Sequence, residues 1–106
     1  MEAALKAIAA PHRRRILSLV RSEELSAGEI AAHFSVTRPA VSQHLNVLKE
    51  AGLLSERRNG TKRLYRARPE GLAELKEFLS EFWDDRLEAL KREAEREEST
   101  KHGTDS

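Results

Sequence analysis

Two groups of side chains in this sequence have the types and spacing to read or grip a polyanion. The first lies in SVTRPAVSQHLNVL, residues 35–48. Thr37 is placed to cap a helix, and Pro39 falls in that helix's first turn, where proline is tolerated. At about 100° per residue, Arg38, Ser42, Asn46 and Lys49 share one ridge, with Gln43 beside it. Val41, Leu45 and Leu48 take the opposite, apolar flank. Such a helix suits the major groove of DNA, where its polar groups meet base edges and phosphates. The N-terminal end of such a helix reaches deepest, which ranks Arg38, Ser42 and Gln43 above Asn46 and leaves Lys49 to phosphate or solvent.

The second group is Arg57, Arg58, Lys62, Arg63, Arg66 and Arg68, with no acid among residues 57–68. One or two cations on a β-edge serve to block aggregation. Six repel one another, and counterion release from a phosphate backbone offsets that cost. Arg57, Arg58, Lys62 and Arg63 fall near a hairpin tip and are assigned to DNA. Arg66 and Arg68 either join them or pair with acids further on.

The elements that would position these groups follow from local signals. Residues 2–9 are alanine-rich with Leu5 and Ile8, a short helix by propensity. Pro11 starts a second helix reaching about Arg21, buried through Ile16, Leu17, Leu19 and Val20. Ser26-Ala-Gly-Glu29 is a capping box opening a third helix to about Phe34. The fourth helix runs from the Thr37 cap to a Gly52 stop. Leu53–Arg58 and Thr61–Ala67 read as strands about an Asn59-Gly60 turn in which both residues accept positive φ. Pro69 opens a last helix with apolar residues at helical spacing from Leu72 to Ala94. The expected order is α-α-α-α-β-β-α: a mainly α winged helix-turn-helix spanning residues 1–98, with a disordered polar tail over 99–106.

The bulk numbers limit the alternatives. The chain of 106 residues is read as one domain. It has no cysteine, which excludes disulfides and thiolate ligands. No apolar run is long enough for a membrane span, and the N-terminus lacks the order of a signal peptide, so a cytoplasmic protein is expected. The net charge of +1 hides an asymmetry. Residues 1–68 carry 13 Lys/Arg and 6 Asp/Glu, a net +7, and residues 69–106 carry 6 and 12, a net −6. A basic front and an acidic back suit a polyanion partner on one side.

No catalytic or cofactor chemistry is visible. His12 and His33 have no carboxylate at ligand spacing, so no metal site is expected. His44 lies between the apolar and polar flanks and reads as a hydrogen-bonded structural histidine. Asp84 and Asp85 are adjacent on a helix and face different ways. No nucleophile–base pair or phosphate-cradling glycine loop appears. The last helix carries a band wider than one core stripe. Phe78, Leu79, Phe82, Trp83, Leu87 and Leu90 predict a partner, most economically a second copy, with Leu5 and Ile8 joining the same interface.

The blocks ALKAIAAPHRRRILSLV, ELSAGEIAAHFSVTRPAVSQHLNVLKEAGLL and RRNGTKRLYR resemble the arsenic-repressor (ArsR/SmtB) family over about residues 3–90. The resemblance implies a homodimeric winged helix that represses promoters, is often released by a small signal, and dimerises through its first and last helices. That family's thiolate sensor has Cys-x-Cys where this chain has Ser26 and Gly28. Its other common sensor uses acid and histidine ligands on the last helix, where this chain has no histidine before His102. FWDDRLEAL, residues 82–90, resembles a metal-independent branch. The family often has glycine in the turn at Ser35, and a left-handed serine there costs about 1 kcal/mol.

The leading reading is a homodimeric, sequence-specific DNA-binding regulator, acting as a repressor by occupying an inverted-repeat operator with two recognition helices about 34 Å apart. The alternative is a winged-helix protein-interaction module without DNA binding, which would favour an acidic or apolar fourth helix. An enzyme is not expected.

Overall fold

The computed structural model describes the backbone of residues 1–102 and the side chains of residues 1–97. The elements are α1 (Glu2–Ile8), α2 (Pro11–Leu19), β1 (Leu25–Ser26), α3 (Ala27–Ala31), α4 (Arg38–Glu50), β2 (Leu54–Asn59), β3 (Lys62–Ala67) and α5 (Pro69–His102). They divide into two compact units, residues 1–75 and residues 76–106. The first contains α1 to β3 and the opening turns of α5. Of the second, the part described is the continuation of α5.

Local chemistry sets the helix boundaries. Ser26 Oγ accepts from the Glu29 amide at 3.2 Å, and the Ser26 amide donates to Glu29 Oε1 at 2.9 Å, so the capping box forms. α3 stops at Ala31, short of the expected Phe34, and the His33 and Phe34 amides make tighter bonds to the Ile30 and Ala31 carbonyls. Thr37 Oγ1 accepts from the Ala40 amide at 3.3 Å and caps α4. At the other end of α4 the Gly52 amide donates to Lys49 O and the Leu53 amide to Leu48 O. With Gly52 at φ +78°, this is the paired-bond stop that favours glycine.

Arg13 and Arg14 finish α1 from outside it. Arg13 Nε donates to Ala7 O at 2.7 Å, and Arg14 Nη1 donates to Ile8 O at 2.7 Å. Two cations thereby satisfy carbonyls that a helix C-terminus leaves open, and they sit at the negative end of its dipole.

The first unit's core is built on Ile16, Val20, Ile30, Val41, Leu45, Leu48 and Leu53, all almost fully buried. Leu5 and Ile8 are half-buried against it. The strands form an antiparallel sheet in the order β1-β3-β2. Leu54, Tyr65, Ala67 and Leu25 turn inward from it. Only two of the three strands were expected. β1 is two residues long, too short for an alternating pattern, and exists because Leu25 and Ser26 pair with Tyr65 and Leu64.

The hairpin turn is one residue later than expected. Asn59 pairs with Lys62, leaving Gly60 and Thr61 as the loop. Gly60 has φ +66° and Asn59 does not have a positive φ. Glycine at the first central position is the type II′ pattern. Ser35 also departs from expectation: no described residue other than glycine has a positive φ, so the turn carries no left-handed serine. α3, its turn and α4 with the β2–β3 wing make a winged helix-turn-helix. α5 continues to His102, past the expected end at Glu98; the rest of the tail, residues 103–106, lies outside the described residues.

Candidate nucleic-acid interface

The orientation of α4 follows from its buried seam. Val41, Leu45 and Leu48 are 0–1% exposed and fix the inward direction. Counting about 100° per residue from them, Pro39, Gln43, Asn46 and Glu50 point away from the core. Pro39, Gln43, Asn46 and Glu50 are all exposed. Arg38, Ser42 and Lys49 lie on one flank, toward the wing, and His44 on the other. The ridge of Arg38, Lys49, Ser42 and Asn46 therefore runs from the wing flank to the outer face, with Gln43 beside it. Gln43 is outermost, and Arg38 and Ser42 line its shoulder. Val47 is also on the outer side and 38% exposed, a residue the sequence reading passed over. Its signal was available: an apolar side chain off the 41-45-48 seam, able to meet a thymine methyl.

The wing shoulder is an open hollow of about 480 Å³ lined by Ser26, Gly28, Arg38, Ser42, Lys62 and Arg63, among others. The Arg38 guanidinium lies along Gly28: a Cβ there would be in ordinary contact with it, 3.6 Å from Arg38 Nη1. On the wing, Arg58 is directly opposite Arg63. Facing like charges are unfavourable on a strand pair, and an anion between or beside them relieves the repulsion.

Not all of the basic residues are equally available. Arg57 is held by Glu24 through two bonds, Nε to Oε2 at 3.0 Å and Nη2 to Oε1 at 2.8 Å. The bonds from Arg57 hold the Glu24 carboxyl below the usual range. Lys49 Nζ donates to Glu56 Oε2 at 2.9 Å, and Arg63 Nε lies 3.6 Å from Glu56 Oε1. The Lys49 bond holds the Glu56 carboxyl down and raises Lys49. Arg68 Nε is 3.9 Å from Glu70 Oε2, so one of the two uncertain arginines does meet an acid of α5. Arg38, Arg58 and Lys62 make no hydrogen bond or ion pair among the described residues. The acids that hold Arg57 and Arg63 lie outside the acid-free run of residues 57–68. Glu56 adjoins it, and Glu24 reaches it only through the β1–β3 pairing.

His44 is half-buried. Arg13 Nη1 is 3.2 Å from its Nδ1, and the His12 ring stacks on it at 5.7 Å. Burial first, then the charges of Arg13 and His12, lower its pKa. Among the described residues no group of three or more His, Cys, Asp or Glu is placed to hold a metal ion. No described helix is long and apolar enough to cross a membrane. On the described part of α5, Phe82 is 54% and Trp83 61% exposed, and Phe78, Leu79, Leu87 and Leu90 are exposed too.

The sequence profile described as "Bacterial regulatory protein, arsR family" matches residues 10–56. An HTH-type transcriptional regulator of Mycobacterium tuberculosis is 46% identical over 80 residues, which cover 76% of this chain and 75% of that protein. The chain belongs to the arsR family of bacterial regulatory proteins. The transcriptional repressor SdpR of Bacillus subtilis is 45% identical to this arsR-family chain over 60 residues, 57% of this chain and 67% of SdpR. A solution structure described as the homodimeric winged helix-turn-helix DNA-binding domain of a possible ArsR-family regulator from Mycobacterium bovis is 31% identical. It has a TM-score of 0.64, covering 79% of this chain and 78% of that one. The arsR-family chain is thus a transcriptional regulator of winged helix-turn-helix type, and the helix-turn-helix lies within the matched residues.

Proposed function

We propose that this chain is a homodimeric repressor that occupies an inverted-repeat operator and blocks transcription sterically, in the cytoplasm and without enzymatic activity. One observation carries the reading. Gln43 and Asn46 stand on the outward face of α4, flanked by Arg38, Arg58 and Lys62, which make no hydrogen bond or ion pair among the described residues. Gln43 and Asn46 offer paired donors and acceptors to an adenine edge, and the cations offer contacts to phosphate. Thr37 and Pro39 bring the first turn of α4 to the groove. Ser42 lines its shoulder, and Arg63 reaches phosphate from the wing tip. Arg57 and Lys49 contribute less, because each is already held by a carboxylate.

The second copy docks through the exposed apolar residues of α5. A homodimeric DNA-binding domain among the similar structures and a repressor among the similar sequences support this reading. Leu5 and Ile8 of α1 are assigned to dimerisation as well. We assign the chain to the metal-independent branch, because Ser26 and Gly28 offer no thiolate and α5 offers no histidine before His102. The interaction-module alternative gains no support from an α4 face carrying Gln43, Asn46 and unpaired cations.

Selection of duplexes from a random pool, then titration at several salt concentrations, tests the reading. Gln43→Ala is expected to lose discrimination between selected and random DNA. Arg58→Ala with Arg63→Ala is expected to weaken both about equally and flatten the salt slope by about 0.9 per lost phosphate contact. Failure of the wild-type protein to bind any duplex would refute it.

A further inference from the structure

Three consecutive arginines, Arg13, Arg14 and Arg15, lie in the early part of α2, and they do different things. Arg13 and Arg14 turn back to the carbonyls of α1. Arg15 makes no hydrogen bond or ion pair among the described residues. Its guanidinium lies over the Phe34 ring, 5.2 Å from the centroid. Stacking of this kind fixes the plane of the fork and leaves its edge N–H groups free to donate.

Arg15 also lines a second hollow, about 200 Å³, together with Pro11, His12, His33, Phe34 and Ser35. His12 lies against Phe34 at 5.4 Å and stacks on His44 of α4 at 5.7 Å. His44 is on the flank of α4 away from the wing. The two hollows therefore lie on opposite sides of α4, one with Arg38, Lys62 and Arg63, the other with His12, Arg15 and His33. A major groove about 12 Å wide that receives a helix has a phosphate backbone on each side of it. The wing hollow meets one backbone. The other needs a cationic partner on the far side.

We propose that the hollow of His12, Arg15 and His33 seats a backbone phosphate of duplex DNA, on the strand opposite the one gripped by the wing. Arg15 donates through its free edge, and the two histidines add ring N–H donors. This rests on the DNA-binding reading above and adds a site to it. Ser35 in the same hollow opens the turn into the Thr37 cap, so the phosphate would also fix the register of α4.

The test uses the full chain and a labelled random-sequence duplex, titrated over a range of salt. Arg15→Gln is expected to weaken binding several-fold and reduce the salt slope by about 0.9 per copy. Arg21→Gln removes the same charge just past the C-terminal cap of α2 and is expected to change neither. Arg15→Lys keeps the slope and loses part of the affinity, since an ammonium lacks the fork. In the unaltered protein, the Arg15 Nε–H resonance shifts on adding the duplex. Equal effects of Arg15→Gln and Arg21→Gln, or an unmoved Arg15 resonance while the duplex binds, would overturn the seat and leave the DNA reading standing. Absence of any duplex binding by the wild type would overturn both.

Discussion

Arg13 and His44 tie the N-terminal helices to the recognition helix: Arg13 Nη1 stands 3.2 Å from His44 Nδ1. Arginine can only donate, so Nδ1 accepts and the ring proton is on Nε2. The same Arg13 also donates to Ala7 O and Lys6 O. One guanidinium thus joins the end of α1 to the middle of α4.

This joint predicts a pH dependence. Burial, Arg13 and His12 lower the folded pKa of His44. The unfolded chain, with His near about 6.5, takes up the proton first as pH falls. The stability from neutral His44 is therefore complete above that value and declines as pH drops through it toward the lowered folded value. Thermal unfolding from neutral to mildly acidic pH should show the wild type losing more melting temperature than His44→Gln, which cannot titrate. Parallel losses would sink this assignment.

Glu56 predicts an unusual salt response. Its carboxylate holds Lys49 and faces Arg63 across the wing. Glu56→Gln removes an acid and releases two cations. Duplex binding should become tighter at low salt, with a slope steeper by about 0.9 for each phosphate gained. Melting temperature should barely move, because exposed ion pairs contribute little. An unchanged slope would show that Lys49 and Arg63 stay away from DNA.

Gly71 predicts a packing failure. It lies in the first turn of α5, and a Cβ there would collide with the carbonyl oxygen of Gly52, backbone that cannot swing aside. Gly71→Ala should destabilise by about 1–3 kcal/mol, although alanine is the better helix former. Denaturant unfolding measures this. A stabilised variant would show that the α5 start is not pressed against Gly52.

The exposed aromatics of α5 predict a change of assembly. Phe82→Asp with Trp83→Asp should yield a monomer by sedimentation at concentrations where the wild type is a dimer, with helix content retained. The variant should then bind a selected operator far more weakly, since each half-site is held alone. A dimer that survives the double change would move the interface elsewhere.

Much of this protein was legible in its residues because the determining chemistry is local. A Ser-x-x-Glu box, a Thr cap, a proline in the first turn and a glycine stop each act within one turn of chain. All were found where the sequence put them. The 41-45-48 seam dictated which way α4 faces. It also fixed that Gln43 and Asn46 look out.

What the sequence could not show is partnership between distant residues. Nothing near Leu25 says that it is a strand until Tyr65 lies beside it. Arg57 looks like a free wing cation until Glu24, 33 residues earlier, closes on it. Three identical arginines became two helix caps and one open donor because α1 folds over the first two and Phe34 lies under the third. Spacing along a chain decides what a side chain is able to do. Only packing decides whether another group has already claimed it.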